Sequence, residues 1–327
     1  MEYILLLSFV ISFIVAFLVT PHWIKRARKA GLVGIDVHKY DKKKIAEIGG
    51  IPVVIGFIFG VLSYIAIKTF YLGANGVISP IFAVLSTVLI IALVGLIDDI
   101  LGWKIGLRQW QKPFLTLIAA LPIMVINAGQ STMIFPLIGE VNLGFFYPLF
   151  IVPLAIVGAS NGFNMLAGYN GLEAGMGAII LSALGFIAWQ QNLGFVAVIA
   201  LCMVFALLAF LIFNRYPARI FPGDTLTYSV GAVIACVAIL GNVEKAAVIL
   251  FIPYFIEFFL KLRGFMQKES FARVNYDNTL ELRYNKVYGL EHFMILLINK
   301  IKRKVYERDV VYSLYIFELI LVGVVLI

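Results

Sequence analysis

Charge is scarce in this chain. Only 13% of its 327 residues are Asp, Glu, Lys or Arg, about half the share of an ordinary soluble domain. Histidine occurs three times and cysteine twice. Cys202 and Cys236 both fall within long apolar runs, which excludes a disulfide framework and a Cys/His zinc site. No soluble stretch carries the net charge of +8, so nucleic acid is a poor explanation of it; anionic headgroups and phosphorylated substrates explain it better. The first apolar run has no basic segment before it and no small-residue cleavage site after it, so a retained helix is expected rather than a cleaved signal.

What the chain has instead is apolar length. Hydrophobic residues make up 62% of it and its mean hydropathy is +1.00. Runs of about 17 to 25 apolar residues suit bilayer crossings. They recur near 3–20, 48–67, 77–97, 113–128, 145–163, 172–190, 194–213, 225–241, 245–262 and 308–327. The expectation is an all-α polytopic membrane protein of about ten transmembrane helices, folded as a single domain over 1–327. Of the 26 Lys and Arg residues, 24 lie in alternate connections: eight in 21–47, three in 98–112, two in 214–224 and eleven in 261–308. The positive-inside rule puts those loops in the cytoplasm and both termini outside. Leu290 to Lys304 reads as an amphipathic helix lying on the membrane before the last span.

The polar residues gather at the cytoplasmic ends of the runs. Asn161 and Asn164, three apart, share a helix face. Asn170-Gly171 signals a turn, and Gly168, Gly171, Gly175 and Gly177 would let backbone N–H groups approach a ligand. The third run ends in Asp98-Asp99, where the helix dipole is already negative, so a cation is expected there, either Mg²⁺ or a basic group. The run 113–128 is preceded by Trp103, Lys104, Arg108, Trp110 and Lys112, and Lys112 is placed to meet a lipid phosphate as a point charge. Asp224 opens the eighth run at an expected N-cap position, beside Gly223, Arg215 and Arg219. Phe221 could stack on a base or anchor the interface. Asp36, His38 and Glu47 stand out in the first loop because acids contribute little to orientation. Glu257 with Lys261 reads as an i, i+4 pair, and Thr132 to Gly144 as a small outer hairpin.

Carboxylates, amides, glycines and a lysine at one edge of the bilayer suit an enzyme joining a water-soluble donor to a membrane lipid. A cation or nucleotide-sugar transporter is the rival, although its ionisable groups would more often sit at the midplane; a scaffold would need no acids at one boundary. Oxygen ligands without a His/Cys cluster favour Mg²⁺, or Mn²⁺, held partly by phosphate oxygens, as phosphoryl transfer requires.

Gly95-Leu96-Ile97-Asp98-Asp99, the stretch Asn161 to Gly175 and Phe221-Pro222-Gly223-Asp224-Thr225 resemble the polyprenyl-phosphate N-acetylhexosamine-1-phosphate transferases. The NxLAGxNGLEAG form is most similar to the eukaryotic and archaeal branch that uses UDP-GlcNAc and dolichyl phosphate. The bacterial peptidoglycan branch carries Asp at the places of Ala167 and Asn170 and a His-rich last loop, both absent here. The resemblance implies that Asn164 and Asp224 hold the metal with the donor diphosphate and that Lys112 meets the acceptor phosphate. It implies that Asp98 and Asp99 orient or deprotonate that acceptor, or form a covalent intermediate. Gly168, Asn170 and Phe221 would contact the nucleotide, and Glu47 and Arg273 the sugar. Ser270 to Arg273 stands where the eukaryotic enzyme has Pro-Arg-His-Arg, and the spacing from Asp99 to Lys112 is longer than in that enzyme. The implied partners are a UDP-sugar, a polyprenyl or dolichyl phosphate and the bilayer of the cell membrane, with the active site cytoplasmic and a homodimer compatible.

Overall fold

The computed structural model describes residues 5–73, 76–102, 106–135 and 139–327; Trp103 and Lys104 lie outside them. Helices dominate, as the apolar runs require: a backbone in lipid must satisfy its own hydrogen bonds. Eight helices among the described residues are long and apolar enough to cross a membrane. They are α1 (Leu6–Ala30), α2 (Gly50–Ala66, continued by a π-helical turn Ile67–Tyr71), α3 (Ile78–Leu101), α6 (Val152–Met165, led in by a π-helical turn Tyr147–Ile151), α7 (Leu172–Gln190), α8 (Gly194–Asn214), α9 (Gly223–Gly241) and α13 (Glu307–Leu326). The chain is therefore an all-α polytopic membrane protein.

The other two apolar runs are each split. Residues 113–128 form α4 (Gln111–Ile118) and α5 (Leu121–Val125); residues 245–262 form α10 (Glu244–Leu250) and α11 (Ile252–Arg263). Pro122 and Pro253 sit in the first turns of α5 and α11, where a missing N–H costs least. Both pairs still run from end to end of the bundle. Lys112, at the start of α4, meets the N-terminal turn of α9, whereas Gly129, just past α5, lies against Ile239 near that helix's far end. Glu244 of α10 binds Tyr147, and Lys261 of α11 reaches Met165.

α1 outlasts the apolar run expected near 3–20. It continues through Pro21 to Ala30, ending at a left-handed Gly31 (φ 76°), so Arg28 and Lys29 occupy its last turn and complement the dipole. Small hairpins decorate the ends: β1 (Val33–Ile35) with β2 (Lys44–Ala46), β3 (Thr132–Phe135) with β4 (Gly139–Asn142), and β5 (Arg273–Val274) with β6 (Leu280–Glu281). The hairpin expected within Thr132 to Gly144 thus forms. α12 (Leu290–Asn299) supplies the short apolar helix before the last span.

α9 is the hub. Of its most apolar window 83% is buried, against 28% for α13. Neighbouring helices approach it through glycines, as small residues permit in membranes. A Cβ on Gly95 of α3 would lie 2.7 Å from the Asp224 backbone, and one on Gly231 of α9 would lie 2.5 Å from the Ala159 carbonyl of α6. Gly50 of α2 abuts Thr225 and Leu226. These close crossings bring the C-terminal ends of α3 and α6 and the N-terminal ends of α2 and α9 to one end of the bundle.

Candidate active site

The N-terminus of α9 presents backbone N–H groups with no intrahelical partner. Asp224 was expected to cap them; it lies instead within the first turn, after Pro222 and Gly223. The cap comes from another helix. Asp99 Oδ1 accepts the Asp224 N–H at 2.7 Å, and its Oδ2 accepts both the Thr225 N–H at 3.0 Å and the Thr225 hydroxyl at 2.6 Å. The negative end of α3 and its carboxylate thereby face the positive end of α9, which resolves the unfavourable placement of acids at a helix C-terminus. Gly223 is required here: its φ is +72°, and a Cβ would stand 2.6 Å from Asp99 Oδ2.

With Asp99 turned to the helix, the remaining acids face a cation. Lys112 Nζ lies 2.6 Å from Asp98 Oδ2 and 2.8 Å from Asp224 Oδ2, and 5.8 Å from the Tyr228 ring centre. Asp98 Oδ1 also accepts the Leu107 N–H at 2.5 Å, which ties down the loop leading to α4. One turn along α4 from Lys112, Thr116 accepts from the Asn161 amide at 2.9 Å. Asn164, on the same face of α6, accepts the Thr227 hydroxyl at 2.9 Å, one turn beyond Asp224. Asp98, Asp99, Lys112, Asn164 and Asp224 are therefore one constellation, knitted together by Thr116, Thr225 and Thr227, which sequence reasoning missed.

The loop before α2 joins this group from the side. The Gly49 and Gly50 N–H groups donate to the carbonyls of Phe221 and Pro222 at 2.9 and 2.8 Å, and the Phe221 N–H donates to Ala46 at 2.8 Å. Phe221 is half-buried beside the site. Glu47 is half-buried too; burial, and then the negative charge of Asp99, raise its pKa above the ordinary carboxylate value. Arg273 lies on the exposed face of β5 and makes no ion pair among the described residues.

The glycine-rich turn does not form the open nest the sequence suggested. The Gly168 N–H is taken by Glu173 at 2.7 Å and the Asn170 N–H by Glu307 at 2.7 Å. Gly175 makes room for the Tyr315 ring, and Gly177 for Val230 and Leu207, so both are packing glycines. Asn170 belongs to a second buried cluster with Asp36, His38, Lys39 and Glu307. The ligand atoms of Asp36, His38 and Glu307 lie within 4.8 Å of one another, as a metal would need. Lys39, however, pairs with Glu307 and stands 3.4 Å from Asp36, so the cluster already contains its cation. His38 packs against Tyr169 with ring centres 4.0 Å apart and the planes tilted by 31°; burial, and then the charge of Lys39, push its pKa down to about 3. Glu257 holds the last loop: it accepts from the Ser270 hydroxyl at 2.9 Å and the Leu290 N–H at 2.5 Å, and lies 3.3 Å from Lys261 Nζ.

Comparison with known proteins shows the family of the chain. The sequence model of Glycosyl transferase family 4 matches residues 81–242, the span that carries Asp98, Lys112, Asn164 and Asp224. The chain is 40% identical over 299 residues to a Saccharolobus solfataricus protein provisionally named UDP-N-acetylglucosamine--dolichyl-phosphate N-acetylglucosaminephosphotransferase, with 89% of this chain and 88% of that one covered. A Sulfolobus acidocaldarius protein of the same provisional name is 33% identical, covering 91% and 89%. The phospho-N-acetylmuramoyl-pentapeptide-transferase of Halalkalibacterium halodurans is 33% identical over 76% of this chain and 79% of its own. By sequence, span and site together, the chain belongs to glycosyl transferase family 4.

Proposed function

We propose that this protein transfers GlcNAc-1-phosphate, or a close N-acetylhexosamine variant, from its UDP donor to a membrane polyprenyl or dolichyl phosphate, releasing UMP. The observation that carries the reading is the convergence of Asp98, Lys112 and Asp224 at one end of a membrane bundle whose relatives bear that activity in their names. Lys- and Arg-bearing connections surround the same end, which supports a cytoplasmic site in the cell membrane. Its place at the bundle's edge, rather than between broken helices at mid-depth, favours a transferase over a transporter.

In this reaction an oxygen of the lipid phosphate attacks the sugar-bearing phosphorus of the donor. The bond from that phosphorus to the bridging oxygen breaks, and UMP leaves with the electron pair. Attack and departure need charge neutralisation and alignment more than covalent help. Lys112, poised between two acids, supplies a cation that can pass to the lipid phosphate. Asp98 faces Lys112 and is the acid placed to orient that phosphate, or to take its proton. Asp99 has both oxygens engaged by α9 and acts by holding Asp224. By this reading Asn170, with Gly168, would contact the uracil and Phe221 would stack on it, while Glu47 and Arg273 would contact the sugar.

The donor set suits Mg²⁺: two carboxylate oxygens already converge on one cation, the Asn164 amide oxygen meets Thr227 on the turn of α9 that follows Asp224, and no sulfur or imidazole takes part among the described residues. Asn164 and Asp224 would hold the ion. When bound, it would neutralise the donor diphosphate and strengthen the electrophilicity of the phosphorus under attack.

Incubating purified protein with dolichyl phosphate, Mg²⁺ and a panel of UDP-sugars tests the reading. UMP and a lipid-linked sugar diphosphate are expected, with UDP-GlcNAc the leading donor. Absence of UMP with every donor, together with ion or nucleotide-sugar flux in proteoliposomes, would replace the transferase by a transporter.

A further inference from the structure

Asp36, Lys39 and Glu307 have no part in the reaction just described, yet all three are buried, at 4%, 8% and 1% exposure. They come from the first loop and the first turn of the last span, and they meet at Asn170. Asp36 Oδ2 accepts from the Asn170 amide nitrogen Nδ2 at 3.1 Å; Glu307 Oε2 lies 3.5 Å from the same nitrogen, and Glu307 Oε1 takes the Asn170 backbone N–H at 2.7 Å. Lys39 bridges the two carboxylates, so the three residues together keep one net negative charge facing the Asn170 N–H groups.

The consequence concerns which end of the Asn170 amide is free. An ionised carboxylate only accepts. Turning the amide round would set its oxygen against Asp36 and Glu307, acceptor against acceptor, in a buried site where such a mismatch is costly. The amide is therefore fixed with Nδ2 inward and Oδ1 outward. Oδ1 accepts no hydrogen bond from the described residues and is not among the side-chain atoms sealed from solvent without a partner.

We propose that Asp36, Lys39 and Glu307 are positioning residues that hold the Asn170 amide with its oxygen toward the donor's nucleobase, and so select uracil over cytosine. The proposal rests on the reading that the turn at 168–170 meets the base. Uracil N3 carries a hydrogen and donates; cytosine N3 has a lone pair and accepts. A carbonyl fixed outward rewards the first and repels the second, so discrimination comes from an attraction and a repulsion together.

The test measures inhibition of sugar-phosphate transfer by UMP and by CMP in the wild type, Asp36→Asn and Asn170→Ala. Asn at position 36 can meet the Asn170 amide in either orientation. Asp36→Asn is therefore expected to lower the UMP-over-CMP preference about tenfold, one hydrogen bond's worth, and to raise the donor KM with a smaller change in kcat. Asn170→Ala should lose the preference as well. If Asp36→Asn keeps the wild-type preference while Asn170→Ala loses it, the positioning inference is overturned and the reading of the turn stands. If Asn170→Ala keeps the preference, the base is not read here and both fall. Should Asp36→Asn not fold, the paired variant Asp36→Asn/Lys39→Met removes opposite charges together and still replaces the Asp36 carboxylate, the nearer acceptor of the Asn170 amide, by an amide. It too must lower the preference, and an unchanged ratio overturns the inference.

Discussion

Asp99→Asn isolates the contact by which α3 positions α9. In the wild type one carboxylate serves three donors: the Asp224 N–H, the Thr225 N–H and the Thr225 hydroxyl. An asparagine has a single acceptor oxygen. Kept on Thr225, it leaves the Asp224 N–H facing an NH₂ group. One charge-assisted hydrogen bond is then lost, worth roughly 1.5–3 kcal/mol, along with the favourable placement of an anion at a helix N-terminus, worth about 0.3–1 kcal/mol. The total, about 2–4 kcal/mol, falls on the turn that carries Asp224. Expressed fully in the transition state, it would slow turnover by roughly 30- to 1,000-fold. The assay is UMP release at saturating donor and acceptor, with monodispersity in detergent as the folding control and Thr225→Val as a milder companion that removes only the hydroxyl contact. A folded Asp99→Asn protein with kcat within about threefold of wild type would refute the claim that Asp99 positions Asp224.

Three further outcomes follow from the geometry. Gly223→Ala forces a left-handed alanine, costing about 1–2 kcal/mol, and drives a methyl into the Asp99 carboxylate, so a loss of activity comparable to Asp99→Asn is expected in kinetic assays. Lys112→Met leaves Asp98 and Asp224 facing each other without a cation; the KM for the lipid phosphate should rise more than that for the UDP-sugar, and an equal rise in both would contradict the assignment. The His38 pKa is lowered to about 3 on folding from an ordinary 6.5, so the unfolded chain binds the proton first. Stability should fall as pH drops below about 6.5, by up to about 1.4 kcal/mol per pH unit, and level off near the folded value. His38→Phe keeps an aromatic ring against Tyr169 and should flatten that acid limb in thermal unfolding measured against pH.

Much of the fold was legible because a bilayer imposes a length and a polarity on each crossing. Even the two split helices carry their own signal, in Pro122 and Pro253. The site was legible as a set of residues, since acids and amides among apolar runs have few structural reasons to exist. Their wiring was not. Asp224 has the residue type and place of an N-cap, and nothing nearby in the sequence says that Asp99, 125 positions earlier, already fills that role. Nor could local pattern separate Gly223, held open against a carboxylate, from Gly175 and Gly177, which only make room for side chains of other helices. Glu307 was hidden as the first residue of an apolar span; an acid there, next to a strongly basic loop, was its one clue.

The account depends most on Asp98, Asn164 and Asp224 acting together on one metal-bound diphosphate. The direct measurement is the Mg²⁺ dependence of UMP release by the wild type and by Asp98→Asn, Asn164→Ala and Asp224→Asn. Turnover should stop with a chelator and return with Mg²⁺. Asn164→Ala should need a higher Mg²⁺ concentration, and the two aspartate variants should lose activity at any concentration while remaining folded. Activity that survives chelation, or an Asp224→Asn enzyme as fast as the wild type at the same Mg²⁺ concentration, would contradict it.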